Sequence, residues 1–520
     1  MNFLQKITPR EYQEKIFATC TEKNCLVVLP TGLGKTLIAI MLAIHRMTKH
    51  PGQKVLFLAP TKPLAEQHLS TFKKYLPELF AEMNLFTGAV KADQRKKIWQ
   101  NADIIFSTPQ CIANDLQKEL YSLHEVCLLV EDEAHRCVKN YDYNAIAQKY
   151  KMQAENPRVL ALTASPGSDP KKIKQICKNL AIEEVELRTR ESEDVKQYLQ
   201  ELEIENIKLD FPAKFEEMRH VLKELFNRYC DELRNRKVLF GPSSKTELIK
   251  VQKNISATIA RGNKNMNYFM AASVCGQAIK IQHALELLET QTIAGFNKYL
   301  KQVFDQAAKK QSKGVVRLVA KPEFNFVYTQ SNELLAKNQE HPKLIKIVEL
   351  VKQEEEKNKE TKVIIFTQFR ETAAQISKRL NELPNIKSKV FIGQASGAGG
   401  VKGLTQKQQK EIIEEFSESK INVLVATCIA EEGLDIPEVN SVIFYEPIPS
   451  AIRSIQRRGR TARLMKGKLF MLITKNTRDE TFYYVSRSRE KKMQSTIQDI
   501  RDELAENNGK FKKIERQGKL

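Results

Sequence analysis

The feature that most constrains the fold is a set of short β-branched runs that recur with helical stretches between them. Strands that read as almost continuous apolar runs are buried on both faces, which is typical of a parallel sheet covered by helices. The pattern occurs before residue 200 and again after residue 340, so the sequence predicts two α/β units. The runs are Cys25–Leu29, Val55–Ala59, Asp103–Ser107, Val126–Glu131 and Val159–Thr163, then Lys362–Thr367, Lys389–Ile392, Asn422–Ala426, Ser441–Tyr445 and Leu469–Ile473.

The stretch between the two units has no comparable strand run and carries long helical patterns, notably Glu216–Arg236 and Asn265–Lys310. This pattern predicts a helical insert over roughly 200–335. Residues 231–321 hold 16 Lys or Arg against 6 Asp or Glu, a net charge of +10 out of +21 for all 520 residues. Such a concentration of charge indicates a surface that grips nucleic acid. The alternative is a spacer whose lysines keep it in solution.

Charge and cysteine content narrow the class of protein. The 84 Lys and Arg outnumber the 63 Asp and Glu, which favours a polyanionic partner over a merely basic solvated surface. The nine cysteines include no C-x-x-C pair, so a reduced, intracellular protein without structural zinc is expected. Apolar runs such as Leu37–Ile44 fall short of the roughly 20 residues of a membrane span. We expect a cytoplasmic, nucleoid-associated protein with no membrane partner.

A phosphate-binding loop is predicted where Leu29–Thr36 follows the first apolar run and opens an apolar helix. Glycines let backbone N–H groups face phosphates at a helix N-terminus. Lys35 would reach the β- and γ-phosphates, and the Thr36 hydroxyl would bind Mg²⁺. The strict consensus has Gly where Leu29 stands, so the core of the match is Gly34, Lys35 and Thr36. The predicted loop contacts are Thr31, Gly32, Leu33, Gly34, Lys35 and Thr36.

Two adjacent carboxylates leave the predicted strand at Val126, about a hundred residues after Lys35. Asp132 is predicted to hold Mg²⁺, while Glu133 is predicted to orient and deprotonate an attacking water. A charged turn at the end of the strand is the alternative, but the phosphate loop upstream favours a catalytic pair. Together the two motifs predict hydrolysis of a nucleoside triphosphate.

Cations for the transition state are predicted in the second α/β unit, within Gln456–Arg463. Arg460 and Arg463 are three residues apart, so on a helix they project from one face. That face could point across a cleft at the nucleotide, where developing charge needs arginine fingers. A basic surface helix is the alternative. The predicted catalytic set is Lys35, Asp132, Glu133, Gln456, Arg460 and Arg463.

These motifs in this order resemble those of superfamily-two helicases, and the likeness covers nearly the whole chain. The resemblance implies two RecA-like parallel-sheet domains in tandem, with a helical domain inserted between them. It also implies ATP and Mg²⁺ as cofactors. The matching segments are Thr8–Gln13, Leu29–Thr36, Ala59–Leu64, Phe86–Gly88, Ser107–Gln110, Asp132–His135, Leu162–Pro166, Phe366–Gln368, Val425–Pro437 and Gln456–Arg463.

Within that superfamily, the segments 29–36, 132–136, 391–396 and 444–460 resemble the archaeal Hef helicases, relatives of the Fanconi anaemia M-type translocases. The resemblance implies action on forked and branched DNA. One departure is Ala462, where the family usually has Gly before the last arginine. Another is the end of the chain at Leu520, since Hef-type proteins commonly continue into a nuclease domain. The sequence leaves open a helicase-only form, a piece of a longer protein, and a separate nuclease as partner.

The resemblance also implies roles for individual residues. Gln13, with Arg10 beside it, would contact adenine, and Gly433 and Asp435 would meet the nucleotide from the second domain. Thr163 and Ser165 would relay the nucleotide state to the DNA-bound side. For Thr61 and Thr108, helix capping is the alternative to a DNA contact. The predicted nucleic-acid contacts are Thr61, Lys62, Thr108, Gln394 and Thr427, joined by Lys250, Lys253, Arg261 and Lys264 in the insert.

The predicted activity is that of an ATP-dependent DNA helicase or translocase that remodels forked or branched DNA. One rival is a double-stranded RNA translocase, which would share the inserted helical domain. The other is a passive scaffold on branched DNA, which would have no need of Glu133. The predicted domains are 1–200 (RecA-like), 201–335 (basic helical insert), 336–490 (RecA-like) and 491–520 (charged helical tail).

Overall fold

The computed structural model describes residues 3–199, 201–262, 265–394, 403–427, 436–437, 439–450, 455 and 467–511. Within these ranges the chain forms two parallel sheets covered by helices and a helical bundle that the sequence places between them. The predicted fold class is therefore confirmed. None of the described helices is long and apolar enough to cross a membrane.

The first sheet has seven parallel strands, all drawn from residues 25–187, in the spatial order β3-β4-β2-β5-β6-β1-β7. Its central strands are fully buried because helices cover both faces. All five predicted runs are strands, and β3 and β7 at the two edges were missed. The strands are β1 Cys25–Val28, β2 Lys54–Leu58, β3 Met83–Phe86, β4 Ile104–Ser107, β5 Val126–Asp132, β6 Val159–Thr163 and β7 Glu184–Leu187.

Eight helices accompany the first sheet, and two of them have a Pro in the first turn next to a strand-end threonine. Pro suits that position because the N–H it lacks would have no partner within the helix. The helices are α1 Glu11–Glu22, α2 Lys35–Lys49, α3 Lys62–Tyr75, α4 Ala92–Asn101, α5 Pro109–Gln117, α6 Asp142–Gln153, α7 Pro170–Asn179 and α8 Glu193–Lys196, with 3₁₀ turns at Glu78–Phe80 and Ala134–Arg136.

The insert is a bundle of six helices with its own apolar core. The long pattern predicted over Asn265–Lys310 is two helices. The first ends at Thr290, and Thr292 caps the second by accepting a hydrogen bond from Gly295 N at 3.3 Å. The helices are α9 Ala213–Asn235, α10 Lys245–Ala260, α11 Met266–Thr290, α12 Ile293–Ala308, α13 Lys313–Val319 and α14 Pro322–Ala336.

In the described ranges the second sheet has six parallel strands, in the order β10-β11-β9-β12-β13-β8. One of them, β8, precedes the insert in the chain and pairs with the last strand over eight residues. The sequence instead predicted a helical insert from residue 201, because this edge strand alternates charged and apolar residues and is largely exposed. The strands are β8 Leu202–Leu209, β9 Val363–Phe366, β10 Ser388–Phe391, β11 Val423–Ala426, β12 Ser441–Phe444 and β13 Gly467–Thr474.

The last described helix connects all three parts of the molecule. Its first turn bonds to the bundle, where Arg478 pairs with Glu289 at 3.2 Å. Farther along, Ile497, Ile500 and Leu504 are buried in the core of the first sheet. The helix thus crosses residue 490, where the sequence predicted a separate tail. The helices of this part are α15 Pro342–Lys357, α16 Arg370–Leu380, α17 Gln406–Ser417 and α18 Arg478–Glu506.

Candidate nucleotide site and nucleic-acid interface

The predicted phosphate loop occupies the turn between β1 and α2. Gly34 lies just before the helix with φ +77°, in the left-handed region that favours glycine. A Cβ at this position would collide with Nε2 of Gln13. Gly34 is therefore favoured by the backbone conformation, and any other residue here would also displace the Gln13 amide.

Side chains of α1 hold this loop from one side. Tyr12 Oη and Gln13 Nε2 both donate to the carbonyl oxygen of Leu33, at 2.7 and 3.1 Å. Gln13 Oε1 accepts from the backbone N–H of Arg10 at 2.9 Å, and the Arg10 guanidinium lies over the Tyr198 ring. Since an amide has two donor hydrogens and two acceptor lone pairs, Gln13 retains capacity for an adenine edge.

The two predicted Mg²⁺ ligands are joined by one imidazole. His68 Nε2 lies 2.9 Å from Asp132 Oδ2, and His68 Nδ1 lies 3.4 Å from the Thr36 hydroxyl. Burial alone would raise the pKa of the Asp132 carboxyl. The hydrogen bond and charge of His68, with the charge of Lys35, outweigh burial and hold that pKa below its usual range. A charged carboxylate and a hydroxyl offer the oxygen atoms that Mg²⁺ prefers, and here the imidazole of His68 lies between them.

Glu133 follows Asp132 in a left-handed backbone conformation, with φ 51°. Such strain in a residue other than glycine is typical of functional sites. Its Oε2 atom is buried and has no hydrogen-bond partner among the described residues, although His135 Nδ1 lies 3.2 Å away. Lys35 Nζ donates to the carbonyl of Leu29 at 2.9 Å. The site therefore holds a carboxylate oxygen that can accept a proton, beside a lysine at the mouth of the phosphate loop.

A chain of contacts leads from Glu133 to the last helix. His135 Nδ1 lies 3.3 Å from the Thr163 hydroxyl, and that hydroxyl donates to Ser165 O at 3.1 Å. Ser165 Oγ in turn lies 2.8 Å from the Met493 sulfur in α18. The structure thus brings together the two residues for which the resemblance implied a relay.

Comparison with known proteins agrees with this geometry. The DEAD/DEAH box helicase family matches residues 10–173, and the helicase conserved C-terminal domain matches 342–465. A helical-bundle domain described for ATP-dependent RNA helicases matches 214–338. The crystal structure of the Hef helicase domain from Pyrococcus furiosus superposes with a TM-score of 0.71 at 42% identity, covering 93% of this chain and 100% of that one. The chain belongs to the superfamily-two helicases of the Hef type.

Curated relatives of this helicase chain carry both DNA and RNA names. A protein of Methanocaldococcus jannaschii with the provisional name of an ATP-dependent RNA helicase is 38% identical over 94% of this chain. The Fanconi anemia group M protein homolog of Mus musculus is 31% identical over 95%, and the ATP-dependent DNA helicase fml1 of Schizosaccharomyces pombe is 31% identical over 94%. The chain spans 61%, 26% and 59% of these three proteins, respectively.

The predicted nucleic-acid contacts of the helicase core lie at neighbouring strand ends. Thr61 and Thr108 follow β2 and β4, which are adjacent in the first sheet. Each occupies an N-cap position, but neither hydroxyl makes a capping hydrogen bond. Gln394 and Thr427 follow β10 and β11, which are adjacent in the second sheet. Each sheet therefore presents a pair of polar strand ends, and both Thr hydroxyls of the first pair are left without capping partners.

The remaining predicted cations that the structure describes lie on surfaces. Lys62 pairs with Glu66 at 3.4 Å, and Glu66 also pairs with Lys410 of the second domain at 3.4 Å. Lys250 pairs with Glu247 at 3.1 Å, while Lys253 and Arg261 are exposed. The predicted residues that lie outside the described ranges are Lys264, Gly433, Asp435, Gln456, Arg460 and Arg463.

Two residues of the helicase site were missed from the sequence. His68 stands alone in the chain with no ligand spacing, so spacing alone does not single it out. Tyr143 was not considered, yet its hydroxyl donates to the backbone carbonyl of Asp132 at 2.6 Å and fixes the end of β5. The one available signal was the position of His68 on the helix after β2, the neighbour of β5 in the sheet.

Proposed function

We propose that this chain is an ATP-dependent DNA helicase or translocase that binds and remodels forked or branched DNA. The observation that carries the proposal is the convergence of Lys35, Asp132 and Glu133 at one sheet edge, with a second parallel sheet in the same chain. The similarity to the ATP-dependent DNA helicase fml1 supports DNA as the substrate.

We propose that ATP binds between the phosphate loop of the first domain and the arginines Arg460 and Arg463 of the second. Thr36 and Asp132 would hold Mg²⁺, whose charge offsets that of the phosphates. Glu133 would take the proton of the attacking water. Bound ATP would favour a closed cleft between the two domains, and hydrolysis would let the cleft open. Each cycle would therefore shift one domain, with its pair of polar β-strand ends, along the nucleic-acid strand.

In this proposal the backbone of the bound nucleic-acid strand runs over Thr61 and Thr108 and then over Gln394 and Thr427. Contacts of this kind position a strand without reading bases. The insert would hold the duplex or the branch. We also propose the domains 1–200, 201–335 and 336–490, with β8 assigned to the second sheet and with 491–506 as the end of α18 rather than a separate tail. A nucleoid location in the cytoplasm and a separate nuclease that acts on the remodelled branch complete the proposal.

A double-stranded RNA translocase is the second candidate. The observation in its favour is that the insert matches a helical bundle described for RNA helicases and that one relative carries an RNA helicase name. A passive scaffold is less well supported, because a protein that only binds has no use for a buried carboxylate such as Glu133 beside the phosphate loop.

The decisive experiment is ATP hydrolysis by the purified chain with Mg²⁺ and a panel of forked DNA, single-stranded DNA, linear duplex DNA and duplex RNA. Strong stimulation by forked DNA that disappears in Lys35→Ala is the expected result. Stimulation by duplex RNA alone would establish the RNA translocase. Binding of forked DNA without any hydrolysis would favour the passive scaffold.

The contribution of the insert is tested by neutralising Lys250, Lys253, Arg261 and Lys264 together. Binding of forked DNA should weaken, and the dependence of the logarithm of affinity on the logarithm of salt should flatten, because fewer counterions are released. Neutralising Lys352, Lys357, Lys359 and Lys378 elsewhere on the chain is the matched control. Unchanged binding by the first variant would refute a DNA-gripping insert.

A further inference from the structure

Among the large apolar side chains that the described part of the insert exposes, the three with the greatest exposure lie near one end of the bundle. Phe240 is 85% exposed, Met266 is 72% exposed and Phe269 is 46% exposed. We call these three residues the apolar tip. Other aromatic residues of the bundle, such as Phe296 and Phe324, are completely buried. The exposure of the tip is therefore a local property of one part of the bundle and not a sign of a poor core.

Hydrogen bonds place the three residues at one end of the bundle. Arg236 and Asn267 bond reciprocally, side chain to side chain at 3.0 Å and Asn267 Nδ2 to Arg236 O at 3.2 Å. Ser243 accepts from Arg234 at 2.7 Å. The loop that carries Phe240 is thus held at both ends against the last turn of α9, beside the first turn of α11. Met266 and Phe269 are three residues apart in α11 and share a face.

This end is far from the attachment of the bundle to the second domain. The attachment uses Glu289, which pairs with Arg478, and Gln291, which accepts from Thr372 at 2.7 Å. Lys298 adds a third link by pairing with Glu371 at 2.6 Å. A helix rises about 1.5 Å per residue, so Met266 lies roughly 35 Å along α11 from this attachment. The apolar tip is therefore the distal end of an arm.

Cations surround the apolar tip. Lys237 follows Arg236 in the loop, Arg261 precedes α11, and an Arg317 nitrogen lies 3.8 Å from the Met270 sulfur. In the described part of the insert, Lys237, Arg261 and Arg317 are exposed and form no ion pair. Aromatic surface ringed by cations fits a nucleic-acid end, where a base pair offers a flat face and phosphates flank it. A second copy of the tip would instead bring like charges together.

We propose that the apolar tip stacks on the terminal base pair of a duplex at a branch point and acts as the wedge between its strands. Phe240 and Phe269 would cover the exposed base faces while Lys237, Arg261 and Arg317 contact the flanking phosphates. Apolar side chains are known to separate base steps in this way, and base stacking on an aromatic ring is a sequence-tolerant contact. The inference rests on the proposed function, since it requires a nucleic-acid substrate.

The test uses the full chain and forked DNA that carries 5-iodouracil in the base pair next to the junction, or ten base pairs away. Ultraviolet light should cross-link the junction position to Phe240 or Phe269, as mass spectrometry would show, and the distant position to neither. The double variant Phe240→Ser/Phe269→Ser should bind forked DNA about tenfold more weakly, in line with the loss of one base stack. It should keep its affinity for closed circular duplex, which has no terminal base pair, and its hydrolysis stimulated by single-stranded DNA.

Two controls separate a wedge from a merely structural role. Phe240→Trp/Phe269→Trp should restore fork preference, because tryptophan also stacks. Leu79→Ser removes a fully exposed apolar side chain from the first domain and should change nothing. If the wild-type chain binds forks but forms no junction cross-link, or if the serine variant unwinds normally, the wedge is refuted. If the wild-type chain binds no DNA of any kind, the proposed function falls together with the wedge.

Discussion

The two sheets use buried charge in opposite ways. In the first sheet, Asp132 lies at the carboxyl end of a central strand, and its partner His68 also contacts the Thr36 hydroxyl. In the second sheet region, Lys343 and Asp479 form an ion pair 2.7 Å long in which both side chains are 0% exposed. Asp479 also accepts from the backbone N–H of Thr474. The first pair faces a ligand site, and the second is enclosed between α15 and the start of α18.

Buried charges therefore have different roles in the two domains. The first sheet is built from one continuous stretch of chain, so its charges are available for chemistry at the strand ends. The second sheet is assembled from segments far apart in sequence, and its buried pair joins residue 343 to residue 479. Burial of a matched pair specifies one arrangement, although it adds little net stability. Five predictions test this difference, from the largest expected effect to the smallest.

The largest effect is expected from Glu133→Gln, which removes the proton acceptor but keeps the shape. ATP turnover should fall about 10²- to 10⁴-fold, the range for loss of a general base. Binding of a fluorescent ATP analogue should persist, which separates chemistry from folding. Turnover at the wild-type rate would mean that the first sheet carries no catalytic carboxylate.

Breaking the enclosed pair should act on stability alone. Lys343→Met leaves an uncompensated buried carboxylate and should cost about 3–5 kcal/mol of folding free energy, measured by chemical denaturation. The double variant Lys343→Met/Asp479→Leu should regain much of that loss, because it removes both charges. A single variant as stable as wild type would contradict the view that the pair is enclosed.

His68→Ala removes the hydrogen-bond partner of Asp132, the carboxylate that faces the candidate ligand site. Groups that orient a metal ligand are worth about 10- to 100-fold in affinity or activity. We expect the Mg²⁺ concentration for half-maximal ATP hydrolysis to rise within that range. His124→Ala, in the same domain, is the matched control, and an equal change in both variants would exclude a specific role for His68.

Glu131→Leu tests a buried carboxyl that neither faces the candidate ligand site nor forms an ion pair among the described residues. Glu131 is 0% exposed, and burial raises its pKa well above the usual range. The Cys137 thiol lies beside it, but neither carboxyl oxygen has a hydrogen-bond partner among the described residues. An apolar side chain of similar size should raise stability by about 1–3 kcal/mol while ATP hydrolysis persists. A loss of activity would show that Glu131 helps to position Asp132.

The smallest effect is expected at His341, which caps α15 and lies beside Phe211, Phe215 and Lys343. Burial and then the charge of Lys343 lower its pKa well below the ordinary value of about 6.5. His341 therefore becomes protonated below about pH 6.5 in the unfolded chain but stays neutral in the folded chain. The free energy of unfolding consequently falls as the pH drops below about 6.5. His341→Asn keeps a capping side chain. It should weaken the dependence of the thermal unfolding midpoint on pH between about 6.5 and 5, whereas His220→Asn, at an exposed position, should leave that dependence unchanged.

The sequence by itself determined where the candidate nucleotide site lies on the first sheet. Lys35, Thr36, Asp132 and Glu133 are fixed by local rules, because a glycine-rich turn opens a helix and the carboxyl ends of parallel strands meet at one edge. The central strands of both sheets were predicted to within one or two residues for the same reason. Their apolar runs are long enough to identify without any knowledge of their neighbours.

Only the tertiary structure decided which distant residues join these elements. His68 meets Asp132 across 64 positions, and β8 pairs with β13 across the whole insert. An isolated histidine and an alternating, half-exposed edge strand carry no local signal of their partners. The same holds for Met493 against Ser165 and for Arg236 against Asn267 in the first turn of α11. These contacts arise when the bundle and the last helix pack, and side-chain periodicity reports which face is buried but not what covers it.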